Sequence, residues 1–491
     1  MRRVVQVMRA HGPLVVILIA VLYTYAKVSQ LSYVLWDDDL LIADNDILRM
    51  PLIEAARAAF TGFYNGDYMP VTLMSYWLEI KLAGYSASVQ HGTNLLLHMI
   101  NVLLVWVWLG GRVRSHGLKL VATAIFALHP IQVESVAWIS ERKGVLAASF
   151  YLGALIAVDA ALRANKRRWI MWILYWGLFS LAAMTKASGL LIPVWVLVAE
   201  CIVSRRIVPK FPVIHAVALV MAAFWSAVRV TAYASAIPQF GSVMFEFERI
   251  MSWPVMVLAA LGFYCRSFVY PDALAIIYPS FIKAIDWSKE VIIGGVMVSV
   301  IALAMWVQSR RQWGRAKDLV IWSLFVLLTL APVLNLVPRI NFVNDRYLYL
   351  PIIGLTLVFA GVLSTGRQWW AARRSAQAGL SGAGLMGAWR QHASKLVTSL
   401  AVLAVMIFAS RERLLVWQDN VNLWGDTVLK VPTSSLAFNN LGQAYQERGD
   451  IAKAIQYFSR SLELADRALA NLAINNLATI YSSKQYPEYF D

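Results

Sequence analysis

Three consecutive carboxylates follow the first long apolar run of the sequence. The run covers residues 12–31, and Asp37, Asp38 and Asp39 come directly after Trp36. Adjacent carboxylates repel one another, attract cations and are costly to bury, so packing does not explain them. Their position beside a predicted membrane edge indicates chemistry at the membrane surface. The rest of the chain would then hold a lipid-borne substrate against them.

Further polar and ionisable residues come at the ends of other apolar runs, on the same predicted face. They are His129 and Glu134, the turn Glu141-Arg142-Lys143, Thr185-Lys186, Tyr278-Pro279, and Asn344-Asp345-Arg346-Tyr347. Even one ionisable residue within the membrane region indicates a functional site. Convergence of several segments strengthens that prediction. A basic turn on the outer face also favours an anionic ligand such as a lipid phosphate.

Simpler explanations remain open for several of these residues. Lys186 and Arg346 can be membrane anchors whose long side chains reach the interface, and Arg142 with Lys143 can form a solvated turn. The spacing of four polar residues, His91, Asn94, His98 and Asn101, places them on one helix face and predicts hydrogen bonds to neighbouring helices. Two histidines seven residues apart, without a paired carboxylate, do not make a metal site. We therefore predict no required cofactor, although the acidic triplet leaves room for a divalent metal.

Composition identifies an integral membrane protein. Of the 491 residues, 59% are hydrophobic and 15% are charged, whereas soluble domains carry about 25% charged residues. The net charge of +16 comes from Lys and Arg clusters between apolar runs, a pattern typical of cytoplasmic loops, so nucleic acid is not expected as a partner. Cys201 and Cys265 are far apart in the sequence, and we predict no disulfide.

Twelve apolar runs are long enough to cross a membrane. They cover residues 12–31, 91–110, 118–138, 144–162, 168–186, 188–204, 211–232, 251–270, 290–308, 318–337, 346–364 and 395–410. No small-residue cleavage site follows Ala26, so the first run is predicted to remain as an uncleaved span. Basic clusters between many of these runs predict which loops face the cytoplasm.

Counting all twelve runs as spans would place the basic cluster at 310–317 outside the cell. The conflict disappears if residues 251–270, which contain Pro254 and Arg266, form a re-entrant or interfacial helix on the outer face. The prediction is then about eleven spans in a multi-pass membrane protein. Its N-terminus is cytoplasmic and its C-terminus extracytoplasmic.

This topology divides the chain into a transmembrane domain, 1–410, and a tail, 411–491. The first outer loop, 32–90, is acidic and contains two predicted amphipathic helices, near 51–61 and 70–83. Residues 365–394 are rich in Gly, Ala and Arg and are predicted to form a mobile cytoplasmic loop.

The tail has the spacing of a tetratricopeptide repeat, in which two helices interlock through small and large residues. The positions are Phe438, Leu441, Gly442, Tyr445, Gly449, Ala454 and Phe458. Trp424 lies 34 residues before Phe458, which indicates a preceding half-repeat, and Leu477, Ala478 and Tyr481 begin a partial one. Because about three repeats are needed for independent stability, the tail must pack on the membrane domain, bind a partner or be cut short.

The order of the short motifs resembles the TMTC family of membrane protein O-mannosyltransferases. The motifs are Tyr33-Val34-Leu35-Trp36-Asp37-Asp38, Pro70-Val71-Thr72, Asn94 to Asn101, His129-Pro130 to Trp138 with Glu141-Arg142-Lys143, Thr185-Lys186, and Asp345-Arg346-Tyr347-Leu348-Tyr349-Leu350-Pro351, followed by tetratricopeptide repeats. The resemblance covers nearly the whole chain, from about 33 to 481. Bacterial chains of this layout are part of the resemblance.

The resemblance implies an all-α polytopic protein with the GT-C glycosyltransferase fold and a short α-solenoid tail. It also implies a sugar donor on a polyprenyl phosphate, undecaprenyl or dolichyl, at the outer face of a bacterial inner membrane. A carboxylate of the first outer loop, here Asp37 or Asp38, would be the catalytic base or orient the acceptor. The chain has few repeats and short loops, which departs from the animal members and leaves both mannose and the acceptor open.

Elementary chemistry agrees with this implication. A Ser or Thr hydroxyl needs a positioned base, which Asp37 would provide with Asp38. A departing lipid phosphate needs fixed cations, for which the candidates are Arg142, Lys143, Lys186 and Arg346. His129, Glu134, Glu141 and Tyr347 would support them. The reaction would invert the anomeric carbon, and the tail would present an acceptor protein among membrane lipids. The alternatives are an envelope glycan or lipid as acceptor, and a non-catalytic scaffold or transporter with a docking tail.

Overall fold

The computed structural model describes residues 2–64, 66–164, 166–236, 247–278, 287–311, 313–334, 342–377, 385–465 and 467–482. The first helices are α1 (Arg2–Thr24), α2 (Leu52–Thr61), α3 (Pro70–Ala83), α4 (Ala87–Arg112), α5 (His116–Leu128), α6 (Val133–Ala137), α7 (Arg142–Arg163), α8 (Arg168–Ala183), α9 (Ile192–Ser204) and α10 (Pro212–Ala236). The remaining helices are α11 (Phe247–Val269), α12 (Ser288–Arg311), α13 (Trp313–Leu330), α14 (Pro351–Gln377), α15 (Leu385–Val416), α16 (Asn420–Lys430), α17 (Ser435–Glu447), α18 (Ile451–Leu464) and α19 (Arg467–Tyr481). No strand occurs within these ranges, which confirms the predicted all-α class.

Each of the twelve predicted apolar runs contains helix. Within the described part of the chain, seven helices are long and apolar enough to cross a membrane, or eight if α5 and α6 together form one span. The bend of 46° between α5 and α6 falls at His129-Pro130. Proline forces the preceding residue out of the helical region, and His129 is extended there. This bend points the second half of the segment, with Glu134, toward the site described below.

Helix α11 covers the segment that we predicted to be re-entrant or interfacial. It runs unbroken past Pro254, and Ser252–Val269 satisfies the length and composition of a span. Its backbone lies against α12, because a side chain at Gly262 would collide with the Glu290 carbonyl. Whether α11 crosses the membrane, and thus the count of eleven spans, stays a prediction.

The positions of basic residues on either side of the segment from α10 to α12 are relevant to that topology. Arg206 before α10 and Arg315 after α12 line the same cavity. Three helices join these two positions, and the positive-inside argument predicts that one of the three does not cross. That part of the topology stays a prediction.

The first loop contains two helices near their predicted positions. Pro51 precedes α2, and Pro70 is the first residue of α3, where a missing N–H costs no hydrogen bond. Helix α3 ends at Gly84, whose φ of 73° favours glycine. The Trp77 indole donates to the Met50 carbonyl at 2.9 Å, so the two helices fold back on each other.

The structure corrects the prediction of a loop at 365–394. Helix α14 extends to Gln377 and α15 begins at Leu385, so both ends of the segment are helical. Ala, Leu and Arg are strong helix formers, and they are frequent in these two helical parts of the segment. Residues 378–384 lie outside the described part of the chain, as do Pro279, Asp466 and residues 483–491.

The tail folds as the repeat spacing predicts. Helix α16 forms the half-repeat, α17 and α18 the full repeat, and α19 begins the partial one. Gly442 lies against the Phe458 ring, where a Cβ would come within 2.7 Å of it. The helices begin at capping side chains, including Asp419 and Ser434, each of which accepts from a backbone N–H.

Candidate active site

Asp38 is buried and fixes the first loop to the α6–α7 connection. Its carboxylate accepts hydrogen bonds from the Ser140 backbone N–H at 3.0 Å, from the Ser140 hydroxyl, and from the Val34 N–H at 3.1 Å. Only 1% of Asp38 is exposed. Burial raises its pKa to about 6, despite the opposing hydrogen bonds. Asp38 therefore positions its neighbour and has no free face for a substrate.

Asp37 is the partly exposed carboxylate of the pair. Its side chain is 24% exposed and lies 3.9 Å from the Lys143 ammonium. Burial raises the pKa of Asp37, while the charges of Lys143 and Arg346 limit the rise. A carboxylate with a raised pKa and access to solvent is suited to accept a proton.

Arg346, Glu134, Glu141 and Lys186 form one buried ion-pair network. The Arg346 guanidinium pairs with Glu134, whose other oxygen accepts the Arg346 backbone N–H at 3.1 Å. Arg346 Nε lies 3.8 Å from Glu141, and Glu141 also pairs with the Lys186 ammonium. The network brings together residues from three separate motifs.

The cations of this network keep some access to solvent. The Arg346 and Lys186 side chains are 11% and 13% exposed, whereas Glu141 is fully buried. Burial lowers the pKa of Lys186, and the Glu141 carboxylate opposes that effect. The exposed edge of the network is therefore positive, which suits an anionic ligand.

Arg142 differs from the other predicted anion ligands. Its guanidinium is fully buried, pairs with Glu79 at 2.6 Å, and donates to Asn94 at 3.1 Å and to the Gln90 carbonyl at 3.0 Å. It also lies over the Tyr76 ring. Buried among these partners, Arg142 joins α3 and α4 to α7 and is not accessible to a substrate in this structure. These contacts favour a positioning role, and the prediction that Arg142 binds the donor phosphate stays a prediction.

The remaining supporting residues also contact the segments that surround the site. His129 contacts the Phe268 carbonyl at 2.9 Å through Nε2, and Arg346 lies over the rings of Trp138 and Tyr347. On α4, the predicted polar face does hydrogen-bond to neighbouring segments: Asn94 to the Trp138 carbonyl, His98 to the Tyr349 hydroxyl, and Asn101 to the Val145 carbonyl.

The tail packs directly against the loop that carries Asp37. Trp36 meets Trp424 edge to face at 5.5 Å between ring centroids, and the Leu35 N–H donates to Asn420 at 2.7 Å. The Ser32 N–H donates to the Gln418 carbonyl at 3.1 Å. The tail is therefore part of the wall around the site and not a separate module.

Sequence reasoning missed three of these contributors. Glu79 neutralises Arg142, Ser140 holds Asp38, and Asn420 caps the loop backbone. Ser140 sits beside the Glu141-Arg142-Lys143 turn, so its position was a usable signal. Glu79 and Asn420 carry no local signal. Among the described residues, no group of three or more His, Cys, Asp or Glu side chains is arranged to hold a metal ion.

The arrangement defines a helical membrane protein with a polar site beside a helical repeat. A family model described as "Tetratricopeptide repeat" matches residues 435–467. The chain is similar to the human "Protein O-mannosyl-transferase TMTC1", with 31% identity over 97 residues, 20% of this chain and 11% of the relative. It is also similar to human "Protein O-mannosyl-transferase TMTC4", with 22% identity over 456 residues, 80% of this chain and 57% of the relative.

These matches confirm the resemblance to TMTC proteins that the motifs indicated. The chain spans little more than half of the human TMTC4 length and about a tenth of the TMTC1 length. Two solved structures are similar at lower levels. The Archaeoglobus fulgidus oligosaccharyltransferase tethered to an acceptor peptide has a TM-score of 0.44 and 14% identity, covering 83% of this chain and 55% of that one. ArnT from Cupriavidus metallidurans, bound to undecaprenyl phosphate, has a TM-score of 0.41 and 15% identity, covering 96% of this chain and 79% of that one.

Proposed function

We propose that the chain is a membrane glycosyltransferase that moves one sugar, mannose or another hexose, from a polyprenyl phosphate to a Ser or Thr hydroxyl of a protein. One observation carries the proposal. Asp37 is a partly exposed carboxylate between Lys143 and Arg346, on a loop held by Asp38 and Trp424. The similarity to proteins named protein O-mannosyl-transferases supports the same chemistry.

The reaction divides between a base and a set of cations. Asp37 accepts the proton of the acceptor hydroxyl as the oxygen attacks the anomeric carbon. The bond between that carbon and the lipid phosphate oxygen breaks, and a new carbon–oxygen bond forms on the opposite side. The sugar configuration is inverted. The phosphate leaves with the bonding electrons and with added negative charge.

Lys143, Lys186 and Arg346 stabilise the leaving phosphate. Lys143 has the most freedom, because its carboxylate neighbour, Asp37, is 3.9 Å away. Lys186 and Arg346 are held by Glu141 and Glu134 before any substrate arrives. Fixed charges of this kind need no reorganisation during the reaction, which is the main source of electrostatic catalysis.

The proposed orientation places Asp37 on the extracytoplasmic side of a bacterial inner membrane. The support is the distribution of cations. The basic ends of α4, α7, α9 and α13 surround a cavity at the other end of the helices, and cytoplasmic loops carry the excess of Lys and Arg. The tail then lies on the same side as secreted and envelope proteins. Its contact with the Asp37 loop favours a protein acceptor over a glycan or lipid.

The test is intact-mass analysis of secreted and envelope proteins from cells that carry wild type, Asp37→Asn, Asp46→Asn or a deletion. Asp46 is a matched control, because it lies on the same loop with its side chain 81% exposed. We expect a hexose-sized mass to disappear in the deletion and in Asp37→Asn but to remain in Asp46→Asn. Full modification in Asp37→Asn would contradict the base assignment. Unchanged protein masses in the deletion would overturn the protein acceptor.

A further inference from the structure

A second polar region lies about one helix length from Asp37. Helix α7 has 22 residues, from Arg142 in the site to Arg163 at its other end, a length of about 33 Å. There the ends of several helices surround a cavity of about 1210 Å³. The cavity shares no lining residue with the candidate active site.

The lining of this cavity is strongly positive. Arg112 pairs with Asp159, with 2.9 Å between Nε and the carboxylate. Six further cations line it: Arg114, Arg163, Arg206, Lys210, Arg315 and Lys317. The other lining carboxylates are Glu200 and Asp318. Glu200 is occupied by His215 at 2.8 Å and by the Lys210 backbone N–H at 2.7 Å. Among the described lining residues, this leaves one carboxylate, Asp318, to balance six basic side chains.

The positive-inside tendency explains why these residues lie on this face, but not why they meet. They come from four separate segments, at the ends of helices or in the loops beside them, and surround one concavity. Its walls also contain apolar side chains, including Leu162, Val196 and Leu357. Like charges gathered in a cleft with low-dielectric walls repel one another and attract an anion.

A close contact between Gly111 and Arg163 occurs at this cavity. Gly111 lies at the end of α4, and a Cβ there would come within 2.9 Å of the Arg163 guanidinium. Arg163 therefore lies across the helix end at a position where a side chain would displace it. The absence of a side chain at Gly111 therefore leaves room for the guanidinium at the cavity wall.

We propose that the cavity binds the phosphate head group of an anionic membrane phospholipid, with its acyl chains along the apolar wall. A phosphodiester satisfies the unpaired cations through charge-assisted hydrogen bonds. The apolar wall favours a lipid over a soluble phosphate, because a soluble anion would use the basic side chains alone. Basic pockets between membrane helices on the cytoplasmic side suit such head groups.

The test uses the purified full chain in neutral detergent, titrated with phosphatidylglycerol or phosphatidylcholine and read by native mass spectrometry. The cavity variant is Arg114→Gln/Arg163→Gln/Arg315→Gln. The control is Lys166→Gln/Arg310→Gln/Arg367→Gln, which removes the same charge from exposed positions that do not line the cavity. Because both sets are exposed, we expect both variants to fold, and size-exclusion profiles will check this.

We expect wild type to bind phosphatidylglycerol more tightly than phosphatidylcholine. The cavity variant should lose affinity for phosphatidylglycerol by about tenfold or more, and the control should not. Equal losses in both variants would show attraction to general surface charge and overturn the site. Displacement of the lipid by inorganic phosphate at equal concentration would assign the cavity to a soluble anion instead. Equal binding of the two lipids would also overturn the proposal.

Discussion

The two polar regions of this molecule use the same residue types in opposite ways. Around Asp37, the buried bases Arg142, Lys186 and Arg346 each have a carboxylate partner. In the cavity at the other end of α7, six cations share one available carboxylate, Asp318. Paired charges are rigid and can act on a charge that develops during a reaction, whereas unmatched cations attract an anion that is already charged. The comparison teaches that pairing, more than charge itself, separates a candidate catalytic region from a candidate binding region.

The largest expected effect is at the proposed base. Asp37→Asn removes the proton acceptor but keeps the shape, so the transfer rate of the purified enzyme should fall by about 10²- to 10⁴-fold. Thermal unfolding in detergent should change little, because Asp37 is partly exposed and Asp38 holds the loop. Transfer from a synthetic polyprenyl-phosphate sugar to a Ser-containing peptide measures the effect. Asp46→Asn should keep full activity, and equal losses in both variants would contradict the role of Asp37.

Glu141→Gln tests whether the site depends on charge pairing. The substitution leaves Lys186 and Arg346 short of a buried partner, which should lower the free energy of unfolding by about 3–5 kcal/mol. The matched change in the cavity is Asp318→Asn, at an exposed position, where we expect an effect within about 0.5 kcal/mol. Chemical denaturation in mixed micelles measures both. Similar effects at the two positions would remove the contrast between the regions.

Asp38 predicts how the stability of the protein depends on pH. Its folded-state pKa, about 6, lies above the ordinary value of 3.8. The folded chain therefore binds more protons between these values, and the contribution of Asp38 to stability declines as pH rises from about 4 to about 6. Asp38→Asn should remove this part of the pH slope. Melting temperature against pH, with Asp46→Asn as the control, measures it. An unchanged slope in Asp38→Asn would show that other groups dominate.

Lys143→Gln tests the smallest of the expected effects, a shift in pH dependence, which is separate from the loss of rate expected when a phosphate-stabilising cation is removed. The Lys143 charge lowers the pKa of Asp37, so its removal should raise that pKa and move the acidic limb of the pH–rate profile to higher pH. Initial transfer rates across the acidic range measure the shift. Lys27→Gln, at an exposed position outside the site, should leave the limb in place. A shift to lower pH would mean that Asp37 does not set the limb.

The elements of the fold could be predicted from the sequence, because long apolar runs and repeat spacing are local signals. Helices α2 and α3 begin close to their predicted prolines, and α17 and α18 follow the spacing of Gly442 and Phe458. The two ends of segment 365–394 were assigned wrongly, because their Ala, Leu and Arg residues, which are helix formers, were given too little weight. Whether α11 crosses the membrane depends on the membrane itself and on which side the neighbouring helices end. The composition of the segment does not encode either of these.

The candidate site was only partly predictable. The motifs identified the residues, and the structure brings Asp37, Lys143, Lys186 and Arg346 together. The sequence did not show which basic side chain pairs with which carboxylate. Arg142 and Lys143 are adjacent, but one begins α7 facing inward toward Glu79 and the other faces Asp37. Such differences arise from the packing of α3 and α4 on α7, which no local pattern records.

The hydrogen bond from Leu35 to Asn420 has a consequence for how the protein is made. The two residues are separated by 385 positions in the chain. At about 5–20 residues per second, the ribosome needs about 20–80 seconds between them. During that time the loop with the acidic triplet is without its final partner. The contact can therefore form only after Asn420 and Trp424 have been synthesised and can close onto the first loop.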